Sequence, residues 1–114
     1  MSILSKRFRK EIAPLPPGVD KVTELISKKW IIDILFILHT ADMSFTELRN
    51  ELKEISNQEL AKKLKILESH KLVEKQASFL SQGESNHVYI STVSGKDLCD
   101  LIMNMNEFGQ KYLS

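Results

Sequence analysis

The sequence predicts a mainly α-helical domain with a small β-hairpin, that is, a winged helix-turn-helix. Three observations predict it. Two short amphipathic segments are joined by only Lys53, Glu54 and Ile55. Two strand-like segments, residues 72–80 and 86–93, the second of them alternating, then flank a polar tip that contains Gly83. A long apolar stripe at helical spacing closes the chain. Two short helices followed by a hairpin make a helix-turn-helix with a wing.

Composition bounds this reading. A chain of 114 residues suits one domain, and 42% hydrophobic residues allow one modest core. The longest apolar run, residues 31–38 interrupted by Asp33, falls far short of the ~20 residues that span a bilayer. The opening MSILSKRFRKEI carries charge throughout and lacks the apolar stretch and small-residue cleavage site of a signal peptide. Cys99, the single cysteine, cannot form an internal disulfide, so a reducing, cytoplasmic setting is expected. Sixteen basic and fifteen acidic residues give a net charge of +1, less than a strong non-specific nucleic-acid binder usually carries. Their distribution says more. Lys6, Arg7, Arg9 and Lys10 form one cluster without an acid, and Lys62, Lys63 and Lys65 form another. Alone, either cluster also fits a solvated face.

Along the chain, residues 1–18 read as a basic arm and a Pro-rich linker, because Pro16 and Pro17 remove amide donors and fix an extended course. Residues 19–114 read as the winged-helix DNA-binding domain, closed by a long C-terminal helix. Val22, Leu25 and Ile26 recur at three and four, predicting a short helix over 20–27 with Asp20 near its N-cap. Residues 30–38 are apolar on almost every side, as in a buried central helix; their four isoleucines are also compatible with a strand. Residues 39–42 supply a polar break.

Phe45, Leu48 and Leu52 predict a two-turn helix. A second helix, over 56–69, has Leu60, Leu64 and Leu67 on one face. Ser56 and Glu59 have the spacing of a capping box, in which hydroxyl and carboxylate each accept from the other residue's amide. Val88, Ile90 and Thr92 alternate with His87, Tyr89 and Ser91 in the second strand of the hairpin. Ser94 reads as the cap of the last helix, whose stripe comprises Leu98, Leu101, Ile102, Met105, Phe108 and Tyr112.

The second helix of such a motif packs one face on the core and puts the other into the major groove, roughly 12 Å wide. Its residues divide accordingly. Asn57, Gln58, Ala61, Lys62 and Lys65 lie on or beside the face opposite the leucines, with Lys63 adding charge. Either first-turn amide can pair bidentately with adenine, Ala61 can touch a thymine methyl, and the lysines suit phosphate or guanine. Ser56 and the helix N-terminus can hold a phosphate, and Thr46 is a candidate for the flanking one. Gln82, Ser85, Asn86 and His87 near the hairpin tip are candidates for a wing contact, although the tip is poor in Lys and Arg. Capping alone accounts for Ser56 and Glu59, and the tip also fits an ordinary exposed turn.

The residues Lys28, Lys29 and Trp30 before the apolar helix, the run SFTELR at 44–49, Ile55, Ser56, Leu60, Lys63, Leu64, Leu67, Glu68, then Leu72, Val73, Glu74, Tyr89, Thr92 and Gly95, resemble the HxlR-type winged-helix regulators, relatives of the MarR group. The resemblance covers roughly residues 20–105. It implies a prokaryotic, homodimeric transcriptional regulator that binds pseudo-palindromic operators in double-stranded DNA. It also implies dimerisation through the N- and C-terminal helices, with Val22 and the stripe from Leu98 to Tyr112 at the seam; packing within one chain is the other reading of that stripe. The chain departs from the pattern in three places. Residues 16–19 lack the cysteine that many members carry before the first helix. The wing lacks their proline and arginine. Ser91 stands where leucine is preferred.

No catalysis, cofactor, metal or membrane is expected. His39, His70 and His87 are scattered without metal-ligand spacing, and there is neither a glycine-rich phosphate loop nor a nucleophile with a recognisable partner. Cys99 reads as a packing residue of the last helix. The competing function is a winged-helix protein-interaction module without DNA binding, which the balanced charge allows.

Overall fold

The computed structural model describes residues 16–78 and 87–114. The basic arm, with Lys6, Arg7, Arg9 and Lys10, lies outside the described residues, as do the hairpin tip and Asn86.

The first helix, α1 (Pro17–Ile26), begins inside the segment expected to be linker. Pro17 occupies the opening turn, where an amide has no intrahelical partner and the proline ring is already at helical φ. Asp20 therefore sits in the first turn and does not cap it. Val22, Leu25 and Ile26 are half-buried against the core.

Trp30 adopts the left-handed region, with φ of 76°, and turns the chain into α2 (Ile31–Thr40). The isoleucine-rich segment is thus helix, and it runs through His39 and Thr40 where a break was expected. Ile31, Ile34, Leu35 and Leu38 are buried. Helix α2 is the hub of the core.

Ser44 caps α3 (Phe45–Leu52), and here the capping box is complete. The Glu47 amide donates to Ser44 Oγ at 3.1 Å, and the Ser44 amide donates to Glu47 Oε1 at 2.9 Å. Lys53, with φ of 63°, then reverses the chain and Ile55 tucks into the core. Helix α4 (Asn57–Ser69) starts one residue after Ser56. The predicted box there is only half formed. Ser56 Oγ accepts from the Glu59 amide at 3.1 Å, but the Glu59 carboxylate lies 3.8 Å from Lys63 Nζ.

Strands β1 (Val73–Ala77) and β2 (His87–Ser91) pair antiparallel, with Val73 opposite Ser91 and Ala77 opposite His87. Tyr89 anchors the hairpin to the loop before α3. The Met43 amide donates to the Tyr89 carbonyl at 3.2 Å, and the Tyr89 amide donates to the Met43 carbonyl at 2.7 Å. Tyr89 and Ser91 face inward, and Ser91 is buried despite its hydroxyl. Both α2 and α5 (Val93–Tyr112) pack on β2 and on each other.

The cap of α5 is Thr92, not Ser94. Thr92 Oγ1 accepts from the Gly95 amide at 3.1 Å, whereas Ser94 Oγ donates to the Lys71 carbonyl at 2.8 Å. Leu98, Cys99 and Ile102 on α5 join the core, but its C-terminal half does not. Leu101, Met103, Met105, Phe108, Tyr112 and Leu113 are between 46% and 76% exposed. No helix among the described residues is long and apolar enough to cross a membrane.

Candidate nucleic-acid interface

Helix α4 offers two unlike faces. Leu60, Leu64 and Leu67 are essentially inaccessible. Gln58, Lys62 and Lys65 lie roughly half a turn away at ~100° per residue, with Ala61 beside them, and all four are exposed. Within the described residues the Gln58 amide makes no side-chain hydrogen bond, so its acceptor and donors are all available.

Lys63 differs from its neighbours. Only 11% of its side chain is exposed, and it faces Glu59, itself partly covered, one turn back. The lysine run is therefore not one cationic face. Lys62 and Lys65 point outward, while Lys63 lies along the flank. An ion pair at this spacing contributes little, about 0.3–0.5 kcal/mol.

Asn57 is exposed but engaged. Its Oδ1 accepts from Nη1 of Arg49 at 3.0 Å, across the turn between α3 and α4. Arg49 is half-buried in the last turn of α3. Spacing along the chain points to helical neighbours three or four apart, so a partner eight residues away is legible only once Lys53 has reversed the backbone. Thr46, also on α3, and Ser56 are both exposed, so each hydroxyl is accessible.

Lys29, which no spacing in the sequence marks as a site residue, also lies in this region. An open groove of about 530 Å³ runs beside the start of α4, lined by Lys29, Trp30, Ser56, Gln58 and Lys62 together with Glu54 and Glu59. Lys29 Nζ lies 5.2 Å from the centroid of the Trp30 ring. Of the residues expected to make a wing contact, His87 is the one described, and it is exposed at the start of β2.

The expected dimer residues fall into two groups. Leu98 and Ile102 are core residues of the single chain, and Val22 is half-buried against that core. Leu101, Met105, Phe108 and Tyr112 are exposed, and the last two rings pack at a tilt of 46° with centroids 5.0 Å apart. No group of three or more His, Cys, Asp or Glu among the described residues could hold a metal ion.

A helix-turn-helix with an exposed polar second helix, followed by an antiparallel hairpin, is the architecture of a DNA-binding transcriptional regulator. The family described as HxlR-like helix-turn-helix matches residues 25–114, and the chain belongs to it. It is accordingly an HxlR-type transcriptional regulator, from a family of regulators and not of enzymes, and the helix-turn-helix implies DNA binding. The reduced form of the regulator YodB from B. subtilis is 24% identical, with 88% of this chain and 96% of that chain covered at a TM-score of 0.78. A MarR-family transcriptional regulator from Enterococcus faecalis V583 is 21% identical over 89% of this chain and 93% of that one, with a TM-score of 0.76. The redox regulator HypR in its reduced form is 22% identical over 82% and 91%, with a TM-score of 0.71. No curated protein matches the chain in sequence.

Proposed function

We propose that the protein is a sequence-specific regulator that binds double-stranded DNA as a homodimer, each subunit placing α4 in the major groove of one half of a pseudo-palindromic operator. The observation that carries this is the division of α4, with leucines enclosed and Gln58, Ala61, Lys62 and Lys65 outward. Gln58 reads a base edge, Ala61 contacts a thymine methyl, and Lys62 and Lys65 take phosphates. Ser56 and Thr46 contact the flanking backbone, with Lys63 a peripheral charge. His87 and Asn86 carry the wing contact. DNA as partner, and one thiol kept reduced, point to action in the cytoplasm.

The second subunit is argued from α5. Its 20 residues reach about 30 Å, and the half beyond Ile102 leaves two aromatic rings and several aliphatic chains in water. Such a surface is covered in a working protein. Pairing of α5, with α1 and Val22 alongside, covers it and sets two copies of α4 on one side of a duplex.

Selection of bound duplexes from a random library tests both parts. The expected product is a repeated half-site with centres about one helical turn, ~10 base pairs, or a multiple apart. Its affinity should fall steeply with salt. Absence of duplex binding at low salt refutes the reading and leaves the interaction module, which the balanced charge allows.

A further inference from the structure

We propose that Arg49 is a positioning residue that makes Asn57 read guanine, not adenine, at the base it meets; this rests on the DNA-binding reading above. Arg49 has only donors, so the Asn57 atom facing it at 3.0 Å is necessarily the carbonyl oxygen. That bond orients the amide: Oδ1 is turned toward Arg49 on α3, and Nδ2, with both its hydrogens, is left without a side-chain partner among the described residues at the exposed first turn of α4. Arg49 is half-buried and Asn57 is exposed, so the arginine is the more enclosed of the two partners.

The consequence follows from the edges of the bases. Bidentate recognition of adenine needs one donor and one acceptor from the amide, the acceptor taking the N6 hydrogen. In Asn57 the acceptor already serves a cation. Its second lone pair remains, but another donor brought to it meets the positive guanidinium and the adjoining N–H groups. The free NH2, polarised by the same cation, is a better donor than that of an unpaired asparagine. Guanine presents two adjacent acceptors, N7 and O6, to such a group, and no donor. Gln58, with no such clamp, keeps both ends of its amide and can pair with adenine. The two neighbouring amides thus read different purines.

The test uses the full chain and the duplex that the library selection yields. The Asn57 position is located as the base pair whose substitution ceases to matter in Asn57→Ala. In the wild type that base is expected to be guanine, preferred over adenine by about tenfold, the scale of one good base contact. Arg49→Met, which keeps an unbranched stem but no donor, should erase or invert this preference at that position and leave discrimination elsewhere intact. Asn57→Asp is the second arm, with α4 untouched in its core: it retains the Arg49 bond, has no donor, and should exchange guanine for cytosine, whose N4 donates. Adenine at the wild-type position overturns the proposal while leaving DNA binding standing. So does an Arg49→Met variant that is folded and weakened equally on every sequence. Failure of the wild type to select any duplex overturns this and the DNA-binding reading together.

Discussion

Gly95, in the first turn of α5, stands directly against the main-chain carbonyl of Leu72. There is no room for a Cβ between them, and Ser91 Oγ lies 2.8 Å from where that carbon would sit. The same carbonyl accepts from the Thr92 amide at 3.2 Å, and the carbonyl of Lys71 beside it accepts from the hydroxyls of Thr92 and Ser94 at 2.8 Å each. This seam joins the segment that leaves α4 to the start of α5. It ties the helix proposed to meet DNA to the helix proposed to make the dimer. Lys71 enters the seam with φ of 59°, outside the usual range for its residue type.

The first prediction concerns that seam. Gly95→Ala is expected to destabilise the fold by about 2 kcal/mol or more, the upper part of the range for overpacking, because the obstructing atom is backbone and cannot rotate away. Urea unfolding should show a lower midpoint with an unchanged slope. Wild-type stability would show that the two segments can part without loss.

Ser44→Ala should cost about 1 kcal/mol, since it removes the acceptor of a capping box in which both reciprocal bonds are present. Its effect on DNA affinity should be no greater than its effect on folding allows. A comparison of denaturation midpoints with binding constants on the selected duplex checks this.

Lys62→Ala combined with Lys65→Ala should weaken duplex binding and flatten its salt dependence, by about one unit of slope per lost phosphate contact. Lys63→Ala should change the slope less, because that side chain is largely covered and lies near Glu59. Equal slopes for all three lysines would mean that the face is not divided in solution as it is in the structure.

Charge placed on α5 should act differently on its two halves. Met105→Glu, at an exposed position, should yield folded monomers in analytical ultracentrifugation if the helix forms the dimer seam. Leu98→Glu should unfold the chain, since it buries a carboxylate in the core. A folded dimer carrying glutamate at 105 rejects that seam.

Cys99 should be slow to react. Burial is the main influence that raises its pKa, Asp100 adds to the rise, and Lys96 opposes it. The thiol also donates to the Leu35 carbonyl at 3.6 Å. The thiolate is the reactive form, so alkylation of the native protein at neutral pH should be far slower than that of the unfolded chain. The sign for stability follows. The unfolded chain releases this proton at lower pH than the folded one, so the contribution is intact below the ordinary thiol range and is lost as pH rises from there through the raised pKa of the folded state. Native-state alkylation as fast as that of the unfolded chain would contradict the buried placement.

Much of this fold is legible in the amino-acid sequence. Leucines at intervals of three and four marked α4 and its inner face, and only three residues separate it from the helix before it. Both follow from the period of the α-helix, which the chain carries locally. The order of helices and hairpin, and the family with it, needed nothing else. Three capping details escaped. Ser44 and Glu47 have the same spacing as Ser56 and Glu59, yet only the first pair closes both bonds, because Glu59 turns toward Lys63. Thr92, not Ser94, begins α5, because Ser94 is drawn to Lys71. Pro17 enters a helix where prolines suggested a linker.

What the tertiary structure alone decided is which groups meet. Periodicity says that Leu98, Ile102, Met105 and Phe108 share a stripe; it does not say where α2 and β2 stop covering it. In the structure the cover ends beyond Ile102. Periodicity turns Lys63 away from Lys62 toward the leucine side; packing decides that only 11% of its side chain stays exposed. The bond from Arg49 to Asn57 spans a chain reversal, so no repeat in the sequence encodes it. Local backbone geometry is written into neighbouring residues, whereas a contact between elements depends on where several of them come to rest at once.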